Sequence, residues 1–251
     1  MKQLEQDSQL KQAKALKADG GLAEIKYHHL DITDESSIKD LAQHLKETHT
    51  EGIDFVINNA GIALNGFGTS PLSTYVYTAL TLADSNIVKE TLHTNYYNTM
   101  LASRTFLPLL KPTGRIVNVA SSSGALSKYS DSVRTRFVSA KTEDDITAIM
   151  RDFAAAVEQG KEKDAGFPSA AYATSKAGCI GGTKALARQE KESGGKRLVN
   201  ACCPGYVNTD MTKGNGTKTP DQGAQTPVLL AIQDIGGKTG EFWRDEKVIE
   251  W

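Results

Sequence analysis

Apolar positions along this chain switch between two spacings. Short runs, Ile53-Asp54-Phe55-Val56-Ile57, Ile116-Val117-Asn118-Val119 and Leu198-Val199-Asn200-Ala201-Cys202, read as strands buried in a sheet. Each run closes on turn-forming residues: Asn58-Asn59-Ala60-Gly61, Ser121-Ser122-Ser123-Gly124 and Cys203-Pro204-Gly205. Between them the spacing becomes helical. Ile38, Leu41 and Leu45 share one face of a predicted helix over residues 35–48, and further helices are predicted over 86–109 and 169–190. The strands then fall at 53–57, 115–119 and 197–203, with another at 24–30 and a short final one near Val248. A polar helix over residues 1–19, with Leu4, Leu10, Ala13 and Leu16 roughly in period, precedes Gly20-Gly21. Strands alternating with helices predict an α/β fold, a parallel sheet wrapped by helices. No repeat or low-complexity segment interrupts the pattern.

The segment between residues 125 and 168 carries a further element. Thr142-Glu143-Asp144-Asp145 has the form of a capping box with Asp in place of Glu. Ile146, Ile149, Met150, Phe153 and Val157 follow at helical spacing, and Gly160 is the stop. An amphipathic helix of this kind must bury its apolar face against something.

Composition narrows the class. At 251 residues and 27.1 kDa, one domain over residues 1–251 with a single large core is expected. Lys and Arg number 29 against 30 Asp and Glu, and no basic stripe points to nucleic acid. The first twenty residues are polar, and no apolar stretch reads as a signal peptide or membrane span, so a soluble, cytoplasmic protein is expected. Cys179, Cys202 and Cys203 form no paired framework and no zinc spacing, which leaves buried structural thiols and no metal.

The candidate chemistry lies in four separated polar residues: Asn95, Ser121, Tyr172 and Lys176. Tyr172 and Lys176 stand four positions apart in Tyr172-Ala173-Thr174-Ser175-Lys176, on one face of a helix. There an ammonium can stabilise a phenolate, making the phenol a usable proton donor near neutral pH. Taken alone the pair is weak. With eight tyrosines in the chain a chance Tyr-x-x-x-Lys is unsurprising, yet only Tyr172 has Lys at that spacing. In an open α/β sheet ligands bind outside the carboxyl ends of the strands, so the three turns above should converge on one crevice with this pair.

Taken together, Leu30-Asp31-Ile32, Asn58-Asn59-Ala60-Gly61, the Ser121 segment, Tyr172-x-x-x-Lys176 and Asn200-Ala201-Cys202-Cys203-Pro204-Gly205-Tyr206-Val207-Asn208-Thr209-Asp210-Met211 resemble the short-chain dehydrogenases/reductases. They are most similar to the monomeric NADPH-dependent carbonyl reductases of that family, and the likeness runs to Trp251. The resemblance implies a Rossmann-like, doubly wound parallel sheet and hydride transfer from NADPH to a small-molecule ketone, aldehyde or quinone. It implies that Tyr172 protonates the carbonyl oxygen while Ser121 hydrogen-bonds it. Ser121 keeps the family's Ser-x-x-Gly register with Gly124, although Ser122 and Ser123 are adjacent alternatives. Lys176 would also bind the nicotinamide ribose. Asn95 would hold a water linking Lys176 to solvent, or else bend its helix by bonding to backbone. Cofactor contacts are implied for Asn59, Ala60 and Gly61 near the adenosine ribose, Asp31 and Ile32 at the adenine, and Pro204, Gly205, Val207, Asn208 and Thr209 at the nicotinamide end. Tyr206 would line the substrate site. Without the resemblance, Asp31, Asn59 and Thr209 read as ordinary turn residues.

Two departures accompany the likeness. Ser121 and Tyr172 stand 51 positions apart, more than the family's usual spacing, and in its monomeric carbonyl reductases a similar insertion covers the helices that other members use to dimerise. A monomer is therefore implied. The family also opens with a strand and a Thr-Gly-x-x-x-Gly-x-Gly turn that cradles the cofactor pyrophosphate. By resemblance Met1 corresponds to the helix after the second strand, so the first two strands, first helix and glycine turn have no counterpart here. In the family's strand order those strands lie between the strands at 24–30 and 53–57, so the latter is expected to be an unpaired apolar edge. Two readings stay open: a carbonyl reductase, or a truncated non-catalytic remnant acting as a binding or interaction protein.

Overall fold

The computed structural model describes residues 25–64 and 84–251. Its sheet has the order β1-β2-β3-β4-β5, with β1 at Ile53–Asn58, β2 at Leu110–Val119, β3 at Leu198–Cys203, β4 at Phe242–Arg244 and β5 at Lys247–Val248. The first four strands are parallel, and β5 turns back antiparallel to β4. The helices are α1 (Glu35–Thr48), α2 (Ser85–Leu92), α3 (Asn98–Phe106), α4 (Asp131–Ser139), α5 (Glu143–Glu158), α6 (Ala171–Glu192) and α7 (Pro220–Ile232).

Alternation along the strands assigns each face of the sheet to different helices. Ile116, Val199, Ala201 and Cys203 pack toward α6, with Ala177, Cys179, Ile180 and Leu186. Val117, Val119 and Cys202 pack on the opposite face against Leu230 and Ala231 of α7. Both faces are thus covered, giving the expected doubly wound arrangement. Helix α1 begins where Asp34 accepts a hydrogen bond from Ser36 N, and it buries Ile38 against Ala102 and Phe106 of α3.

The insertion is more ordered than its sequence pattern alone implies. Thr142 Oγ1 accepts from Asp145 N at 3.2 Å, and Asp145 Oδ2 accepts from Thr142 N at 2.9 Å, so the box expected with Asp is formed. The backbone N–H groups of Thr142, foremost, and of Lys141 hold the Asp145 carboxyl below its ordinary value. Gly160, at φ 64°, ends the helix, and Lys161 N reaches back to Ala156 O. Ile146, Ile149, Met150, Phe153 and Val157 are all buried. Their helix lies against α2 and α6, where Gly178 and Gly181 of α6 leave room for Met150 and Ile146. A second insertion helix, α4, not expected from the sequence, starts at Ser130, whose Oγ accepts from Val133 N.

Other expectations needed correction. Residues 25–30 form no strand: they are mostly exposed, and no described strand lies beside them to pair their backbone groups. The predicted helix over 1–19 lies outside the described residues. The helix expected over 86–109 is α2 and α3 joined by a π-helical turn at His93–Tyr97 and ended by a 3-10 turn at Leu107–Leu109. β2 starts at Leu110, earlier than expected, through an irregular stretch that pairs Ile53 with Leu110 and Phe55 with Arg115. The strand parallel to β3 is Phe242–Arg244, too short to read as a run; the strand near Val248 is its hairpin partner. Among the described strands β1 pairs only with β2, as expected of an edge, and Phe55 on it is 43% exposed.

The β4–β5 hairpin turns through Asp245 and Glu246, both at positive φ (49° and 62°), as a two-residue type I′ turn requires. Lys218 pairs with Asp245, and Glu246 N donates to Thr226 Oγ1 at 3.1 Å, so the turn is held from outside. Glutamate suits this backbone poorly, whereas glycine adopts it freely. Glu246→Gly should raise the unfolding free energy by about 0.5–1 kcal/mol, allowing for the looser unfolded chain, as read from denaturant melts. An unchanged or lower midpoint would count against strain at this turn.

Candidate active site

Register brings the carboxyl ends of three strands level. Asn58 of β1 lies opposite Asn118 of β2, and Val119 lies opposite Cys202 of β3. The turns that follow therefore leave the sheet on one side, beside the N-terminal half of α6. Asn58 Nδ2 donates to Asn118 Oδ1 at 2.8 Å and Asn118 Nδ2 to Thr183 Oγ1 at 2.9 Å, tying both strands to α6. Ser103 of α3 joins this network, donating to Asn118 Oδ1 at 3.1 Å.

Lys176 is buried and donates from Nζ to Val119 O at 2.8 Å, which fixes its ammonium at the end of β2. One turn earlier on α6, the Tyr172 ring lies with its centroid 5.7 Å from that Nζ. Lysine and tyrosine thus meet as the spacing requires. A Cβ added to Gly61 would lie 3.1 Å from Asn95 Oδ1 and 3.4 Å from Lys176 Nζ, so the turn after β1 sits directly on both side chains.

Asn95 occupies the π-helical turn and is buried. Its Oδ1 accepts from Ile62 N at 2.8 Å; its Nδ2 donates to Ile62 O at 2.9 Å and to Ser175 Oγ at 3.1 Å. The extra backbone residue of a π turn aims the amide inward, as such turns often do at functional sites. Ser175, which sequence reasoning passed over, links Asn95 to α6 and donates to Tyr172 O at 2.8 Å. Its signal was its position between Tyr172 and Lys176.

Ser121 is half-buried and caps the 3-10 turn Ser122–Gly124, accepting from Ser123 N at 3.1 Å. That turn presses on α6: a Cβ at Gly124 would come within 2.6 Å of Ala177 N and 2.8 Å of Lys176 C. Only glycine permits the approach. The neighbouring Ser122 faces elsewhere, its Oγ 3.6 Å from Cys203 Sγ. This contact joins the second turn to the third.

After β3, Gly205 takes φ 87°, and its N donates to Cys203 Sγ at 3.4 Å. Tyr206 is half-buried, and its carbonyl accepts from Lys218 N at 2.9 Å. Val207 and Asn208 run beside Lys218, and Thr209 with Thr212 closes a reciprocal cap. Pro204, Gly205 and Tyr206 are thus joined to the Ser121 turn through Cys203, while Asn208 and Thr209 are exposed. Asn59 and Ala60 are exposed beside Gly61. Asp31 makes a local turn, accepting from Thr33 N at 2.9 Å, and Ile32 packs against the Ile38 cluster. His93 Nε2 lies 3.1 Å from Thr33 O, which ties this loop to the π turn carrying Asn95.

Other polar groups are structural. Burial raises the Tyr96 and Tyr129 hydroxyls well above the ordinary tyrosine range, and it likewise raises the Cys179 and Cys202 thiols. Both phenols are thereby weaker acids than an exposed tyrosine. Among the described residues no cluster of His, Cys, Asp or Glu could hold a metal ion, and no helix is long and apolar enough to cross a membrane. A cleft of about 540 Å³ between α2 and α5, lined by Leu92, Tyr97, Arg151 and Ala154, contains none of the candidate residues.

Known proteins resemble this chain in sequence and fold. The family model for short chain dehydrogenases matches residues 3–141 and 156–220. The gap between the two matched segments falls within the insertion. Carbonyl reductase [NADPH] 1 of Bos taurus is 36% identical over 232 residues, which is 90% of this chain and 79% of that protein. Carbonyl reductase [NADPH] 3 of Rattus norvegicus is 35% identical over 245 residues, 95% of this chain and 83% of that protein. The solved structure of salutaridine reductase from Papaver somniferum superimposes with a TM-score of 0.77 at 27% identity, covering 92% of this chain and 85% of that one. With a matching family model over most of its length and relatives above 30% identity, the chain belongs to the short chain dehydrogenase family.

Proposed function

We propose that the protein is an NADPH-dependent carbonyl reductase acting on ketones, aldehydes or quinones, with Tyr172 as proton donor. The reading rests on one observation above all: Lys176 Nζ, bonded to Val119 O, sits beside both the Tyr172 ring and the Gly61 turn, at the crevice where three strands end. The relatives named for NADPH-dependent carbonyl reduction support the cofactor and the substrate class. The residues present fit the nicotinamide-ribose half of such a cofactor. Gly61 has no Cβ to fill the space between Asn95 and Lys176, and the one described hydrogen bond of Lys176 leaves two N–H groups for ribose hydroxyls and the phenol.

NADPH supplies the hydride when bound. The chain's own residues handle the oxygen. Ser121 Oγ hydrogen-bonds the carbonyl oxygen and stabilises the charge that develops there. Tyr172 gives that oxygen its proton, and Lys176 offsets the phenolate left behind. Asn95 holds the Gly61-Ile62 turn against Lys176, and its second Oδ1 lone pair is available for a water that relays the next proton to the pair. Asn59 and Ala60 with Gly61, and Asp31 with Ile32, are assigned to the adenosine end. Pro204, Gly205, Val207, Asn208 and Thr209 are assigned to the nicotinamide end, with Tyr206 as an aromatic wall for apolar substrates.

Tyr172→Phe removes the donor and keeps the ring. It should lower kcat for NADPH-dependent reduction of a quinone or aldehyde by about 10²–10⁴-fold. NADPH binding followed by fluorescence should change little. Near-normal kcat would overturn the assignment.

The same reading makes the protein a monomer, because α5 lies with its apolar face across α2 and α6. Light scattering at micromolar concentration should return the monomer mass. A dimer mass would refute it, whereas deleting residues 131–159 should expose the covered apolar surface and promote association.

A further inference from the structure

Trp251 makes a contact that the proposed chemistry has not used. Beyond the hairpin, Ile249 N donates to Phe242 O at 2.8 Å, so the chain continues alongside β4 and delivers Trp251 to the crevice side of α6. There the indole ring stands edge-on to Phe137 of α4, centroids 5.4 Å apart at 75°. It fits over Gly181, where an added Cβ would lie 2.9 Å from its Cη2. Its Nε1 donates to Gly124 O at 3.1 Å. Gly124 is the residue that presses the serine turn on the backbone of Lys176 and Ala177. Its own N–H donates to Ser121 O at 3.0 Å, and Ser121 Oγ accepts from Ser123 N at 3.1 Å. The indole is therefore linked to Ser121 through the backbone of Gly124, whose C=O accepts from the one and whose N–H donates to the other.

We propose that Trp251 is a positioning residue for Ser121: through the Gly124 carbonyl it clamps the serine turn on α6 at the height set by Tyr172 and Lys176. This rests on the carbonyl reductase reading. A 3-10 turn of three residues has little stability of its own, so its position depends on what holds each end. One end is continuous with β2. The other is gripped by the indole, which also bears on the insertion through Phe137, so the insertion and the catalytic turn share one support.

Trp251→Phe keeps a ring against Phe137 and Gly181 and removes only the donor. Gly181→Ala instead keeps the donor and crowds the ring at 2.9 Å, along with Ile146 Cδ1 of α5 at 2.6 Å. In both variants amide hydrogen exchange at Ser123 and Gly124 should speed up, while the interior of α6 stays protected. In Trp251→Phe, kcat should fall about 2- to 10-fold, the range one neutral hydrogen bond supplies, with the Kd for NADPH unchanged. In a Ser121→Ala background the same change should lower kcat no further. Unaltered exchange at Ser123 and Gly124 would overturn the proposal whatever the activity. Faster exchange with unchanged kcat, or an equal loss of kcat without Ser121, would overturn it as well. If the unmodified protein shows no NADPH-dependent turnover, the reductase reading fails instead, and the exchange measurement still decides whether Trp251 holds the turn.

Discussion

The site depends on one buried cation. Lys176 is buried between α6 and the end of β2, and an ammonium withdrawn from water is costly unless strongly bonded. Its bond to the Val119 carbonyl meets part of that cost and locks the helix to the end of β2. Once this contact is made, Tyr172 one turn earlier is carried to the crevice. Gly124 on one side and Gly61 on the other are forced into close approach. Replacing either glycine would act on the cation and on α6 before it acted on any ligand.

A second set of buried polar groups keeps the sheet ends level. Asn58, Asn118, Ser103 and Thr183 bond one another across two strands and two helices, so a one-residue slip of β1 against β2 would leave amides unpaired in the core. A fully bonded network of this kind rigidifies the scaffold on which the turns are mounted. Asn95 repeats the device at the π turn, where its amide meets backbone and side-chain partners together.

The insertion packs closely because the surface of α6 beneath it is made of small residues. α6 presents Gly178, Gly181 and Gly182 toward Met150, Ile146, Trp251 and Met100, and these small residues let neighbours approach closely. Ile146, Ile149, Met150, Phe153 and Val157 of α5 bury their apolar area against α2 and α6. Burial of a side chain of this size contributes about 1.5–3 kcal/mol, so the covering helix is itself a large share of the core.

Much of this was legible before any coordinates. Periodicity placed α1, α5, α6 and the strands at β1 and β3, with Asp34 and Thr142 capping α1 and α5 while α6 has no side-chain cap. The closeness of Tyr172 to Lys176 and the tight approach of the Gly124 turn to α6 were legible too, because helix geometry and a glycine's missing Cβ are local facts. Tertiary structure decided the rest. Residues 25–30 have the composition of a strand, yet no described strand lies beside them to accept their hydrogen bonds. Phe242–Arg244 is a strand only because Ala201 N and Gly240 N bond across the gap and the Asn200 side chain fixes Glu241 and Lys238. That Asn95 bonds Ile62 and Ser175, and that Trp251 grips Gly124, depend on contacts 33, 80 and 127 positions apart. Separations of that length leave no periodic trace in a sequence, since they are set by how the helices pack.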